Sequence, residues 1–185
     1  MKSFHKVSFQ QFEKDFVDEF PDVDADKLEQ KFYNQIKLPE RATENSIGYD
    51  IFAPVGFDLK PGEQIRIPTG LKIELDESLT LIALGEKPLV VYEWLGIYPR
   101  SGQGFKFLRL ANTVAVIDFD YYNNPKNEGH IWVKVRNESS DQIFSFRAGD
   151  AFCQAVVQFA LRLDNDATTG AKREGGLGST DKRIM

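Results

Sequence analysis

Between residues 9 and 20 the apolar side chains fall at Phe9, Phe12, Phe16, Val17 and Phe20, the three-and-four spacing that marks one face of a helix. Ser8 stands where an N-cap belongs and Pro21 follows the last apolar position, so one amphipathic helix is predicted over 9–20. A weaker helical pattern begins at Asp24 and runs through Leu28 to Phe32. From about residue 35 the pattern changes to short apolar runs broken by Pro and Gly, as in Asp58-Leu-Lys-Pro-Gly-Glu63 and Gln64-Ile-Arg-Ile-Pro-Thr-Gly70. Strands are predicted over 70–75, 79–84, 90–98, 130–137, 143–147 and 151–161. In the fourth of these Ile131, Val133 and Val135 share one face, while Trp132, Lys134 and Arg136 share the other. Such runs between regular turn signals predict a mainly β chain, a barrel or sandwich. After Leu163 apolar side chains become scarce and Gly170, Gly175, Gly176 and Gly178 sit among polar residues, which predicts a mobile arm. The expected organisation is a helical extension over 1–36, a β domain over 37–163 and the arm over 164–185.

Composition narrows the class. Of 185 residues, 42% are apolar, enough for one well-filled core. Lys plus Arg number 23 against 28 Asp plus Glu, a net charge of −5, which argues against sequence-blind adhesion to nucleic acid or to an anionic membrane. A polyanionic ligand must therefore meet locally concentrated cations. One cysteine, Cys153, and two histidines, His5 and His130, exclude an intrachain disulfide and a cysteine-based zinc site, as in a reducing compartment. Cys153 reads as a small core residue, and the histidines as surface or strand-end residues. No apolar run approaches the roughly 18 residues of a membrane span, and Met1-Lys-Ser-Phe-His-Lys-Val-Ser-Phe9 lacks the apolar stretch of a signal peptide. The chain reads as a soluble cytoplasmic protein.

Three segments carry candidate chemistry. In Ile117-Asp-Phe-Asp-Tyr121, strand alternation would put the carboxylates of Asp118 and Asp120 on one face with Phe119 opposite. Paired there, they could hold a cation, activate water or only solvate a strand end. In Tyr98-Pro-Arg-Ser-Gly-Gln-Gly104 a guanidinium and a hydroxyl precede two glycines that let backbone N–H groups approach an anion. The alternative is an ordinary polar turn. Arg173-Glu-Gly-Gly-Leu-Gly-Ser-Thr180 repeats that chemistry in the arm, where a disordered terminus is the competing reading. Gly149-Asp-Ala-Phe-Cys-Gln154 reads as a turn entering a buried strand.

Taken in order, these segments resemble the five motifs of the trimeric deoxyuridine triphosphate nucleotidohydrolases, the dUTPases. Ser46-Ile-Gly-Tyr-Asp-Ile51 is similar to motif one, Pro99-Arg-Ser-Gly102 to motif two and Asn112-Thr-Val-Ala-Val-Ile-Asp-Phe-Asp-Tyr121 to motif three. The segments 149–154 and 173–180 are similar to motifs four and five. The stretch 121–131 resembles the longer hairpin of the enzymes from Gram-positive bacteria and their phages. The resemblance implies a β-barrel or jelly-roll subunit assembled as a homotrimer with shared active sites. Its substrate would be dUTP, cleaved to dUMP and pyrophosphate with Mg²⁺ bound alongside the triphosphate. It further implies Asp118 as the base that activates water for attack on the α-phosphorus. Arg100, Ser101, Gly102, Gln154 and Arg173 would hold phosphates, and Asp50 would lie near the metal through water. Tyr121 would lie against the deoxyribose, Asn112 and Val116 in the uracil-reading hairpin, and Leu177, Gly178 and Ser179 in the closing arm.

The sequence departs from the family pattern at Leu177, where a stacking phenylalanine is usual, at Ala115 in place of glycine and at Gln103 in place of an apolar residue. Related dCTP deaminases need an acid on the strand after motif three, where Lys134 stands here, with Glu128 too early to replace it. A regulatory role through a protein partner, as for some phage relatives, is the alternative from another class.

Overall fold

The computed structural model describes residues 2–23, 28, 30–81, 89–163, 167, 170 and 172–176. The chain opens on a strand, β1 (Ser3–Lys6), and not on a helix. The helix α1 (Phe9–Glu19) follows, capped as expected by Ser8, whose hydroxyl accepts from the Gln11 N–H at 3.1 Å. Phe12 and Phe16 on its inner stripe are 0% and 3% exposed; burying an aromatic side chain of this size contributes about 1.5–3 kcal/mol. A short helix, α2 (Gln30–Gln35), packs Phe32 and Tyr33 against Phe12. The predicted helical start at residues 24–27 lies outside the described residues.

The remaining elements are β2 (Glu40–Arg41), β3 (Tyr49–Phe52), β4 (Phe57–Leu59), β5 (Gln64–Pro68), β6 (Leu71–Glu74), β7 (Ser78–Leu81), β8 (Leu89–Tyr98), the single-turn helix α3 (Ser101–Gly104), β9 (Leu108–Leu110), β10 (Ala115–Asp118), β11 (Trp132–Asn137), β12 (Phe144–Phe146) and β13 (Ala151–Ala160). Among the described residues their ladders form four sheets, a jelly-roll-like arrangement rather than one continuous closed barrel. The largest runs β10-β8-β13-β3-β2 with β7 also on β8, and the others are β5-β11-β9, β1-β6 and β12-β4. The β1–β6 pairing, Phe4 opposite Ile73, joins the N-terminal segment to the β domain.

One core lies between the sheets. Ile131, Val133 and Val135 point into it at 0%, 1% and 1% exposure, the face their alternation assigns them. Ile51, Leu95, Ile97, Phe152 and Cys153 meet them from the large sheet, and Phe12 and Phe16 close one side. Among the described residues no helix is long and apolar enough to cross a membrane.

Candidate functional site

One end of the large sheet carries a polar cavity of about 760 Å³ lined by Asp50, Arg100, Ser101, Gly102, Gln103 and Gln154, among others. Strand pairing brings them together, since Gln154 on β13 stands opposite both Asp50 on β3 and Tyr98 on β8. Just past the end of β8, Arg100 donates from Nε to Asp50 Oδ1 at 2.8 Å and from Nη2 to Oδ2 at 3.1 Å, a bidentate pair that fixes the guanidinium plane. The backbone then turns, with the N–H groups of Gln103 and Gly104 donating to the Arg100 carbonyl. Ser101 and Gly102 stand exposed on that turn, and a methyl at Gly102 would meet nothing within 4 Å. Gln154 donates to the Pro99 carbonyl at 3.0 Å. Gln103 donates to the Ala151 carbonyl at 2.8 Å, while its Oε1 is buried without a partner. Cations, hydroxyls and open backbone around one cavity suit an oxyanion chain.

The carboxylates sit elsewhere on the same sheet. Strand β10 stops at Asp118, and residues Phe119–Tyr121 form a 3₁₀ turn. Strand alternation therefore does not place Asp118 and Asp120 together as expected. The turn does, because Arg173 bridges them, donating from Nη2 to Asp118 Oδ2 at 2.5 Å and from Nε to Asp120 Oδ1 at 2.7 Å. The described part of the arm, 172–176, lies against the β domain: Gly175 is buried, and a Cβ on Gly176 would lie 2.5 Å from the Tyr121 hydroxyl. Two carboxylates supply the attraction that the arm's composition lacks. Tyr121 is 6% exposed, and burial raises its hydroxyl above the ordinary tyrosine range against a lowering by its Asn127 hydrogen bond. Val116, Asp118, Asp120 and Arg173 line a second cavity of about 390 Å³. Asn112 is exposed in the turn between β9 and β10.

Among the described residues the two cavities share no lining residue. Asp118 faces Trp94 on β8, Trp94 faces Gln158 on β13, and Gln154 of that strand faces Asp50. Three strand spacings across and four residues along separate Asp118 from Asp50, roughly 20 Å at about 4.8 Å per strand and 3.3 Å per residue. Within one chain no single phosphate group reaches both.

No protein-family model matches the chain. The chain is, however, 39% identical over 147 residues to the deoxyuridine 5'-triphosphate nucleotidohydrolase of Lactococcus lactis, covering 78% of this chain and 88% of that one. The chain belongs to the dUTPase family. The crystal structure of the dUTPase from Streptococcus mutans is 29% identical, with a TM-score of 0.57 over 88% of this chain and 98% of that chain. The fold is also shared with a point mutant of the dUTPase from Staphylococcus aureus phage phi11, described as coordinating a structural Mg(II) ion, at 16% identity and a TM-score of 0.53 over 94% and 99% of the two chains.

Set against the dUTPase motifs, the structure gathers Asp50, Arg100, Ser101, Gly102 and Gln154 at one cavity. Val116, Asp118 and Arg173 line the other, with Tyr121 against the docked arm. Leu177, Gly178 and Ser179 lie outside the described residues. Tyr92, Glu93, Trp94 and Arg162 also line the Asp118 cavity, from β8 and from just past β13. No local signal marks them, because only strand pairing brings those segments beside β10. Glu128, the acid nearest the deaminase position, accepts from the N–H and hydroxyl of Ser8 at 2.9 and 2.5 Å and from Lys72 at 3.2 Å.

Proposed function

We propose that this dUTPase-family chain hydrolyses dUTP to dUMP and pyrophosphate at sites completed between copies of itself. The observation that carries the reading is the division of the dUTPase motifs into two half-sites, each holding what the other lacks. One has the phosphate cradle without a base, the other the base without a cradle. In a homotrimer each chain lends its Asp118 half to the cradle of a neighbour.

In that shared site Arg100, Ser101, Gly102 and Gln154 bind the triphosphate, and Arg173 leaves the two carboxylates for phosphate oxygens, which frees Asp118. The ionised Asp118 takes a proton from a water as the water oxygen bonds to the α-phosphorus, and the bond from that phosphorus to the bridging oxygen breaks to release pyrophosphate. Tyr121 faces the deoxyribose, while Asn112 and Val116 belong to the hairpin that reads uracil. A mismatched buried polar group there costs about 1–3 kcal/mol, which is how cytosine is rejected.

The residues fit a Mg²⁺ that arrives with the substrate. Among the described residues no group of three or more His, Cys, Asp or Glu could hold a metal, and Asp50 offers a carboxylate already oriented by Arg100. That donor set suits an ion held mainly by phosphate oxygens and water. When bound, the ion supplies neutralisation of phosphate charge.

Pyrophosphate release is measured from dUTP, dTTP, dCTP and UTP with Mg²⁺, using Asp118→Asn as control. The expected result is turnover of dUTP alone, falling by about 10²–10⁴-fold in the variant. Ammonia release from dCTP, or an Asp118→Asn enzyme as fast as wild type, overturns the reading. The structural engagement of Glu128 and the exposure of Lys134 both count against deamination.

A further inference from the structure

The hydroxyl of Tyr121 is held on two sides. It donates to the His130 carbonyl at 2.8 Å and accepts from Asn127 Nδ2 at 2.8 Å. Asn127 is itself oriented, because its Oδ1 accepts from Asn124 Nδ2 at 2.7 Å and from the Gly129 N–H at 3.2 Å. Asn124, 4% exposed, donates back to the Tyr121 carbonyl at 2.9 Å. The ring therefore sits in a closed set of hydrogen bonds made by its own hairpin.

That hairpin is fixed in turn to the N-terminal extension. His130 is fully buried, and its Nε2 accepts from the Gly70 N–H at 2.7 Å. An accepting Nε2 leaves the proton on Nδ1, which donates to Asp15 Oδ2 on α1 at 2.5 Å. Gln11 Nε2 also donates to that oxygen at 2.8 Å. His130 is thus pinned at both ring nitrogens, and its carbonyl is the one that receives the Tyr121 hydroxyl.

We propose that Asn127, with the Asp15–His130 pair behind it, forms a set of positioning residues that hold Tyr121 in the one placement that excludes a ribose 2′-hydroxyl. The helix α1 is the anchor, so the N-terminal extension contributes to sugar selectivity without touching the nucleotide. This rests on the reading of Tyr121 as the residue facing the deoxyribose. A hydrogen-bonded side chain resists the displacement that a 2′-hydroxyl would demand, while a ring held by packing alone would yield to it.

The test measures pyrophosphate release from dUTP and UTP by the full chain and by Tyr121→Ala, Tyr121→Phe, Asn127→Ala, the Tyr121→Phe/Asn127→Ala double variant, Asp15→Leu and Asp15→Asn. Asn127→Ala and Tyr121→Phe are each expected to lower the dUTP-over-UTP ratio of kcat/KM about tenfold, acting mainly through a rise in kcat/KM for UTP. The double variant should be no worse than Tyr121→Phe, because that substitution already removes the contact with Asn127. Asp15→Leu should shift the ratio in the same direction. Asp15→Asn, which still offers an oxygen to His130 Nδ1–H, should restore it. Additive losses in the double variant overturn the proposal, as does an unchanged ratio in Asn127→Ala when Tyr121→Ala abolishes selectivity. An unchanged ratio in Tyr121→Ala instead overturns the assignment of Tyr121 to the sugar. Should Asp15→Leu fail to fold, Asn127→Ala and the double variant decide the matter alone.

Discussion

At Gly129 the backbone turns with φ +80°, and an added Cβ would lie 2.6 Å from the Tyr121 carbonyl oxygen and 3.0 Å from the Tyr122 Cα. Neither backbone atom can step aside without moving the hairpin that holds the Tyr121 ring. Gly129→Ala is therefore expected to cost about 1–3 kcal/mol in urea denaturation and to raise KM for dUTP. Gly48 gives the opposite case. Its added Cβ would meet the Gln154 Oε1 at 2.6 Å, the free end of a flexible side chain, so Gly48→Ala should leave stability within about 0.5 kcal/mol while lifting the Gln154 amide off the Pro99 carbonyl and weakening triphosphate binding. Legibility at this scale follows the distance to a residue's partners. Cys153 is legible as a core residue, and its thiol is pushed well up by burial, with the Asp50 charge adding to it. His130 reads as a surface or strand-end residue; it does stand just before β11 but is fully buried, and that burial is not legible because Asp15, the partner that satisfies its ring, lies 115 positions upstream.

The helix α1 is legible almost to the residue, since its cap, stripe and stop are all local signals. Strand β1 is not. Four residues are too few to show alternation, and they become a strand because β6 offers an edge. The 3₁₀ turn at Phe119–Tyr121 is equally hidden, since the spacing of Asp118 and Asp120 fits a strand as well as a turn. The α1 terminus also carries a pH dependence. Burial raises the Glu128 pKa, but the Ser8 hydroxyl and N–H together with the Lys72 ammonium outweigh it and leave the group below the ordinary glutamate value. A carboxyl depressed in the folded state stabilises it above the unfolded pKa, and that contribution disappears as pH falls through the folded value. Glu128→Gln should accordingly melt about 2–4 °C below wild type at neutral pH, with the gap closing on acidification past the ordinary glutamate range. A gap that stays constant across a pH series of thermal melts would show that the charge of Glu128 plays no part.

For the whole molecule, five short segments in a fixed order lead to the dUTPase family, but the roughly 20 Å between Asp118 and Asp50 appears only when the strands are paired. That separation makes a prediction about assembly that does not depend on solving a complex. On the proposed function, Asp118→Asn removes the base from one half-site and leaves the cradle intact, while Arg100→Met spoils the cradle and leaves the base. Each variant alone should be inactive. If every site joins the Asp118 half of one chain to the Arg100 half of the next, a mixed trimer contains one junction at which both intact halves meet. Three quarters of randomly assorted trimers from an equimolar mixture hold both variants, and one site in three is intact in each. Co-refolding should therefore recover about a quarter of wild-type activity, while separately refolded variants combined afterwards recover only as much as subunit exchange allows. A site contained within one chain predicts no recovery under either protocol, since every chain in the mixture carries one broken half.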